Sequence, residues 1–203
     1  LPNGRFMEEA SLRFNFSSSF PNEYTSLTAS PFSWMEATYR YSEIKNEKYG
    51  PTIYSGNQSL KDKGLDIKIG ILKEDYYKPS IAIGFRDLAG TGLFSSEYIV
   101  ATKRFNNLDL TLGLGWGVLA LESSLKNPFT YLEDTFIDRN SEFGQGGEFS
   151  YDSWFSGQTS LFGGFEYSLR KYGLKIKLEY DTSKPDLRQS ISSPKSRINL
   201  GLD

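Results

Sequence analysis

Apolar residues at every second position are the feature that most constrains the fold of this chain. In GLDIKIGIL (64–72), leucine and isoleucine hold the odd positions, whereas Asp66, Lys68 and Gly70 hold even ones. A period of two is typical of a β-strand with one apolar face, and no convincing helical period is present. The pattern predicts about ten strands. Their approximate positions are 6–16, 24–29, 35–42, 64–72, 81–86, 97–104, 108–120, 155–169, 174–180 and 197–202.

The lengths of the connections alternate from the third predicted strand onward. Short connections, such as 170–173, follow long ones. A β-sandwich has no reason to sort its loops in this way, whereas an up-and-down outer-membrane barrel places tight turns at its periplasmic end and long loops outside. We therefore expect an all-β, antiparallel, up-and-down transmembrane β-barrel, with residues 1–203 forming one barrel domain or part of one. The long outer loops are expected near 43–64, 87–96, 122–154 and 182–196.

The composition excludes several classes of protein. The sequence has no cysteine and no histidine, which removes thiolate metal sites, imidazole metal sites and histidine-based catalysis. A net charge of −2 gives no indication of nucleic-acid binding. No apolar run reaches the roughly 18 residues that a membrane-spanning helix needs. Residues 1–10 lack the apolar region of a signal peptide, so we expect either a removed leader or a start within a longer chain.

Aromatic residues occur near many of the predicted strand ends. They are typical of the aromatic girdles of a membrane barrel, and equally of the core and rim of a soluble β-protein. The residues concerned are Phe6, Trp34, Tyr41, Tyr98, Phe105, Phe155, Tyr167, Tyr172 and Tyr180.

One predicted strand, LTLGLGWGVLA (110–120), carries glycine on one face and large apolar residues on the other. The apolar face is expected to contact lipid, and Gly113, Gly115 and Gly117 are expected to face the interior of the barrel. Glycine in a strand permits sharp coiling and close packing, or it leaves space for a ligand or a conduit. The sequence does not decide between these alternatives. The expected lipid-facing residues are Leu110, Leu112, Leu114, Trp116 and Val118.

Charged residues collect on the face that alternation assigns to the interior. Such a mixture fits either a salt-bridged polar filling or a passage for a polar, anionic polymer. Four cations on the third to sixth strands, Arg40, Lys68, Arg86 and Lys103, are expected to form one basic strip. The candidates for lining the interior are Arg40, Lys68, Arg86, Lys103, Lys175, Lys177, Glu36, Asp66, Glu179, Gly113, Gly115 and Gly117. The same alternation also assigns Arg13, Asp109, Glu166 and Arg197 to this face.

We expect no enzymatic activity, no cofactor and no metal ion. The carboxylates of the 122–154 loop could in principle serve glycoside hydrolysis, but acidic residues on a long loop are usually solvated. The segment NSEFGQGGEF (140–149) lacks the spacing of an EF-hand. No catalytic, cofactor-binding or metal-binding residue is therefore predicted.

Several motifs resemble the YjbH family of exopolysaccharide-biosynthesis proteins. They are SGNQS, KDK and GFRDLAGTGLFSSEY within residues 55–117, together with WMEATYRY (34–41) and LPNGRF (1–6). The resemblance covers most of the chain and is weak over 122–154. It implies a non-enzymatic outer-membrane β-barrel protein of a Gram-negative bacterium, with a role in polysaccharide production or export. It also implies that these residues are part of a longer chain.

The resemblance also implies certain partners: outer-membrane lipid, an anionic polysaccharide and other export proteins. The alternative class is a soluble β-sandwich that acts as a carbohydrate-binding module. The two classes differ in whether the purified chain needs detergent to stay monodisperse, because a row of lipid-facing leucines should aggregate in water.

Overall fold

A computed structural model describes residues 1–120, 125–139, 151–183 and 196–203. The described strands are β1 (Ser11–Ser19), β2 (Asn22–Phe32), β3 (Met35–Lys48), β4 (Ser59–Leu72), β5 (Ser80–Arg86), β6 (Ser96–Phe105), β7 (Leu108–Trp116), β8 (Thr159–Leu169), β9 (Leu174–Tyr180) and β10 (Ile198–Leu202). One α-helical turn, α1 (Thr52–Ser55), and short 3-10 helices at Gly117–Leu119, Pro128–Tyr131, Asp134–Phe136, Tyr151–Ser153 and Arg170–Tyr172 lie in the connections.

The ten strands form one antiparallel sheet in the order β1 to β10, so each strand pairs with its neighbours in sequence. The prediction of an all-β antiparallel meander is confirmed. The sheet is not closed into a barrel, because the described residues of β1 pair with β2 alone and those of β10 pair with β9 alone. Closure therefore stays a prediction.

The connections between strands differ in length between the two ends of the sheet. Tight turns follow β2, β4, β6 and β8, and the longer connections follow β3, β5, β7 and β9. The short link between β1 and β2 lies at the same end as the long loops, so the sorting has one exception. The expected loop at 43–64 is shorter than predicted, since β3 and β4 pair through Glu43↔Lys61 and Ile44↔Leu60. Most of loop 182–196 and part of loop 122–154 lie outside the described residues.

The two faces of the sheet differ sharply in chemistry. Leu12, Phe14 and Leu112 are exposed on one face, at 72%, 69% and 62% of their surface. The other face carries pairs of polar or small residues such as Glu36↔Lys68 and, on the next strand pair, Lys68↔Gly84. This is the reverse of a water-soluble sheet protein, which buries its apolar face.

The polar face is concave and holds an extended segment, residues 1–9. The Met7 amide donates to Glu36 on β3, whereas the Arg5 guanidinium reaches Asp109 on β7. Arg13 on β1 and Glu179 on β9 line one common cavity, although these strands would be about 38 Å apart in a flat sheet. The sheet is therefore strongly curled around this segment. The first strand begins at Ser11, whereas the alternation predicts a first strand from Phe6.

Part of the convex face is covered by the long connection between β7 and β8. Trp116, expected to face lipid, is fully buried and packs against Phe129 and Phe155. Asn127 holds this connection together by donating to the carbonyl oxygens of Phe136, Phe155 and Gly157. The expectation for Trp116 is wrong because a folded loop, rather than lipid, covers it.

The strand ends at Trp116, so Val118 also leaves the predicted alternation. It lies in the 3-10 helix Gly117–Leu119, where side chains no longer alternate between two faces. Among the described residues, no helix is both long enough and apolar enough to cross a membrane.

Candidate functional site: the concave cavity

The concave face encloses an open cavity of about 640 Å³ between residues 1–7 and the sheet. Its walls come from strands at both sides of the curl, from β1 and β3 to β8 and β9. Both signs of charge are present. The charged lining residues are Arg5, Arg13, Glu36, Asp66, Lys68, Arg86, Arg104, Asp109, Glu166, Lys175, Lys177 and Glu179.

Gly4 fixes the inner segment to the middle of the sheet. Its amide donates to the Thr102 hydroxyl at 2.8 Å, and its carbonyl accepts from the Ser80 hydroxyl at 2.6 Å. A Cβ at Gly4 would lie 2.8 Å from the Ser80 carbonyl oxygen, so a larger residue does not fit without a shift of the backbone. Neither hydroxyl is predicted from the sequence as a site residue.

Arg5 forms the main charged contact of the segment. Its guanidinium binds Glu74, in the turn after β4, and Asp109 on β7. Arg104 binds the same Asp109 carboxylate, with Nε at 3.0 Å from Oδ1. Arg5 and Arg104 are absent from the predicted site residues. Arg104 follows a run of apolar residues on β6, where alternation gives no clear face.

Lys68 and Glu36, both predicted interior residues, form an ion pair of 3.0 Å across β3 and β4. The Lys68 ammonium also donates to the Arg5 carbonyl oxygen and lies 4.3 Å from the centre of the Phe6 ring. Phe6 itself packs over Gly70, which has no side chain to block it. Lys68 is therefore engaged with the segment as well as with the wall.

Asp66 lines the cavity on the side nearest the long loops, and Arg40 lies beside it without lining the cavity. The guanidinium of Arg40 is 3.7 Å from Asp66 and 3.9 Å from Asp87, and it stacks 5.0 Å above the Phe94 ring. Asp87 closes the 87–95 connection by accepting from the Phe94 amide at 3.1 Å. Burial raises the pKa of Asp87 to about 6, and the nearby Asp62 carboxylate adds to the rise.

Arg86 and Arg13 differ from the other cations of the cavity. Within the described residues, neither has a carboxylate oxygen within 4.0 Å. Arg86 lies 5.9 Å from the centre of the Tyr98 ring. Arg13 lies on β1 and also faces the cavity. These two guanidiniums are the groups best able to accept an anion from solution.

The predicted residues of β9 also line the cavity. Glu166 on β8 binds Lys175 at 2.9 Å and Lys177 at 3.6 Å. Glu179 faces the same space at the other end of the strand.

Of the predicted basic strip, Lys68 and Arg86 line the cavity, whereas Arg40 and Lys103 do not. Lys103 pairs with Leu110, and Thr102 beside it faces the cavity, so the Lys103 side chain leaves the strand on the convex side. Its ammonium contacts carbonyl oxygens of the 73–79 turn, including that of Tyr76 at 3.1 Å.

The glycines of the concave face make room for side chains of adjacent segments. A Cβ on Gly113 would overlap the ring of Phe162, and one on Gly115 would lie 2.6 Å from Leu119. Phe162 packs in a small buried cluster with Ala82, Val100, Tyr98 and Leu119. Of the alternatives left open by the sequence, close packing accounts for Gly113 and Gly115.

Gly117 has a different role from the other two glycines. It lies outside the strand with a φ of +64°, and its position is close to the Ser95 carbonyl oxygen and the Arg139 guanidinium. A left-handed backbone conformation of this kind favours glycine. Gly117 was expected to face the interior, and it instead starts the 3-10 turn that ends β7.

The arrangement is suited to holding a polar chain by exchange of ion pairs and hydrogen bonds. Within the described ranges, no group of three or more metal-ligating side chains is placed to hold a metal ion. A curled antiparallel sheet with an apolar outer face and a charged inner cavity defines the structural class of this chain.

Comparison with known proteins places the chain within a family. A family described as "Exopolysaccharide biosynthesis protein YbjH" matches residues 1–203. The chain therefore belongs to the YjbH exopolysaccharide-biosynthesis family. It is 36% identical over 203 residues to the "Uncharacterized lipoprotein YjbH" of Escherichia coli K12, a match that covers 98% of the chain. The chain spans 29% of the length of that relative. No solved structure matches.

Proposed function

We propose that this chain forms part of a non-enzymatic outer-membrane β-barrel that contacts an anionic polysaccharide during its production or export. The observation that carries the proposal is the division of one sheet into an exposed apolar face and a charged concave face. Family membership supports a role in exopolysaccharide biosynthesis. The lipoprotein name of the E. coli relative supports an association with a membrane.

The convex face fits lipid better than water. Leu12 and Phe14 on β1 and Leu112 on β7 would be exposed to water in a soluble protein, and exposed apolar surface favours aggregation. The end of the sheet with the tight turns adds a band of exposed rings, as expected where strands leave the hydrocarbon layer. These rings are Phe32, Trp34, Tyr76, Tyr77, Phe105 and Tyr172.

A barrel in lipid needs both sheet edges to be paired, since backbone groups cannot reach water there. The proposal therefore includes further strands that pair with the free edges of β1 and β10. The greater length of the E. coli relative is consistent with such strands.

The concave face supplies the contact with the polymer. Arg86 and Arg13 lack carboxylate partners in the described part of the chain, and Lys68, which lines the same cavity, donates to the Arg5 carbonyl oxygen of the inner segment. An anionic sugar chain would bind these cations through its carboxylate or phosphate groups. Mixed charge on the rest of the wall keeps the polymer hydrated and able to move.

Replacement of Lys68 and Arg86 by glutamine tests this role. We expect lower exopolysaccharide output from cells, with an unchanged amount of assembled protein in the outer membrane. The matched control is Arg170→Gln and Lys171→Gln in the tight turn after β8, where no effect on output is expected. Normal output from an assembled Lys68→Gln/Arg86→Gln variant would contradict the contact with an anionic polymer.

A further inference from the structure

The inner segment fills space that the sheet does not need for its own pairing. Residues 1–9 form no strand, and all nine strand pairs of the described sheet exist without them. Even so, Pro2 and Gly4 are buried inside the curl. The segment therefore occupies the cavity without belonging to the wall.

The contacts that hold this segment are mainly polar. Gly4 binds two hydroxyls, Arg5 binds two carboxylates, the Met7 amide donates to Glu36, and the Lys68 ammonium donates to the Arg5 carbonyl. Apolar contacts come from Phe6, which packs over Gly70, and from Leu1 and Phe6 against the buried cluster around Phe162. Hydrogen bonds and ion pairs of this kind have small net free energies, because water or another polar ligand can replace each partner.

Removal of the segment would leave a continuous polar row across the concave face. In the middle of the row, Ser80 would lose the Gly4 carbonyl oxygen that accepts from its hydroxyl, and Thr102 would lose the Gly4 amide that donates to its hydroxyl. Glu74 and Asp109 would lose Arg5. A sugar chain carries hydroxyl groups that can replace these donors and acceptors, and its anionic groups can pair with the cations nearby.

We propose that residues 2–9 are a displaceable plug of the concave cavity, which leaves its place when a polysaccharide chain enters. This inference rests on the proposed function for the identity of the entering chain. The displacement itself depends only on the contacts of the segment.

A disulfide lock tests whether displacement is required. The chain has no cysteine, and a Cβ at Gly4 would lie 3.3 Å from the Ser80 Cβ. Typical disulfides have a Cβ–Cβ distance of about 3.5–4.5 Å, so a small shift allows the bond. In the full chain in cells, the oxidised Gly4→Cys/Ser80→Cys variant should stop exopolysaccharide output, and a reductant should restore it.

The single variants Gly4→Cys and Ser80→Cys are the controls for the lock. They carry the same side chains without the cross-link, and their output should not depend on the reductant. If the double variant forms the disulfide, assembles normally and exports as well when oxidised as when reduced, the plug is a permanent filling and the proposal is overturned.

A second measurement needs no polysaccharide. Thr111 lines the cavity, so a Thr111→Cys variant of the full chain reports access to it through its rate of reaction with a charged thiol reagent. Addition of Arg5→Ala should speed this reaction at least about fivefold, because the segment loses the two ion pairs of Arg5, with Glu74 and Asp109. Addition of Arg170→Ala, an exposed arginine of the β8–β9 turn, should leave the rate unchanged.

The two measurements separate the plug from the proposed function. Faster labelling with Arg5→Ala supports a displaceable segment even where the Lys68→Gln/Arg86→Gln variant exports normally. An unchanged rate with Arg5→Ala, measured on folded protein, overturns the plug whatever the polysaccharide measurements give.

Discussion

At the scale of single residues, the glycines of β7 explain how a narrow curl accommodates large rings. Gly113 on β7 lies opposite Phe162 on β8, and the large Phe162 ring occupies the space that a side chain at position 113 would need. A side chain at Gly113 must displace that ring or the backbone beside it.

Gly113→Ala is therefore expected to lower the free energy of unfolding by about 1–3 kcal/mol. Tryptophan fluorescence during denaturant unfolding in detergent measures this change. Gly50→Ala is the control, since a Cβ there meets no atom closer than 3.6 Å, and its effect should stay within about 0.5 kcal/mol. Combination with Phe162→Leu should recover part of the loss; no recovery would show that the ring is not the cause.

Asp87 gives a prediction about pH at the same scale. Its side chain is fully buried and its pKa is raised to about 6, above the ordinary value of 3.8. The folded state therefore holds this proton more tightly than the unfolded state. The contribution of Asp87 to stability is fully present below pH 3.8 and is lost as the pH rises to about 6.

Asp87→Asn removes this ionisation and keeps an acceptor for the Phe94 amide. The free energy of unfolding of Asp87→Asn, relative to the original chain, should rise between pH 4 and pH 7 by on the order of 1–3 kcal/mol. Denaturant unfolding at a series of pH values measures the difference. A difference independent of pH would mean that Asp87 titrates as an exposed carboxyl group does.

At the scale of elements, the connection between β7 and β8 is anchored to the sheet by one buried ion pair. Arg139 donates to both carboxylate oxygens of Glu97, at 2.6 and 2.9 Å, and the Phe155 amide donates to the same group at 3.0 Å. Loss of one partner of a buried pair leaves the other charge uncompensated.

Arg139→Leu should therefore destabilise the protein by about 3–5 kcal/mol and expose the described parts of this connection, 125–139 and 151–157, to protease. Glu97→Leu/Arg139→Leu should cost less than the single change, because no buried charge remains. The control on the same connection is Lys126→Leu, whose exposed ammonium lies over Tyr131 and should contribute less than about 1 kcal/mol. Equal protease resistance of Arg139→Leu and the original chain would contradict the anchor.

The elements also show which parts of the structure the sequence predicts. β3, β4 and β9 alternate cleanly because one side of each strand lines a polar cavity and the other side is apolar, so their face assignments agree with the structure. β6 packs small and aromatic residues against a buried cluster on its concave side, and alternation is lost there. Because alternation is lost on β6, the sequence assigns Lys103 to the interior face and leaves Arg104 out of the predicted interior residues.

The inner segment and the covered Trp116 could not be predicted from local pattern. Phe6 continues the parity of β1, yet its position depends on contacts with strands far along the chain. Trp116 fits the apolar face of β7, and the loop that covers it is distant in sequence. Both depend on tertiary packing, which alternation does not encode.

At the scale of the whole molecule, an outer-membrane barrel requires the convex face of the sheet to lie in hydrocarbon. Leu112→Arg or Ile67→Arg should then lower the amount of assembled protein, at a cost of about 2–4 kcal/mol near the middle of the membrane. Quantification of the protein in outer-membrane fractions measures this. Lys68→Gln on the concave face is the control and should leave the amount unchanged. Normal levels of Leu112→Arg would indicate that this face contacts water.

The dependence on detergent tests most directly whether one sheet carries a lipid-facing surface and a polar interior. Size-exclusion chromatography with light scattering of the purified chain, with and without detergent, measures it. We expect a monodisperse species in detergent and aggregation after the detergent is removed, driven by exposed side chains such as Leu12, Phe14 and Leu112. A folded, monodisperse monomer in buffer without detergent would contradict the lipid-facing surface and favour a soluble carbohydrate-binding module.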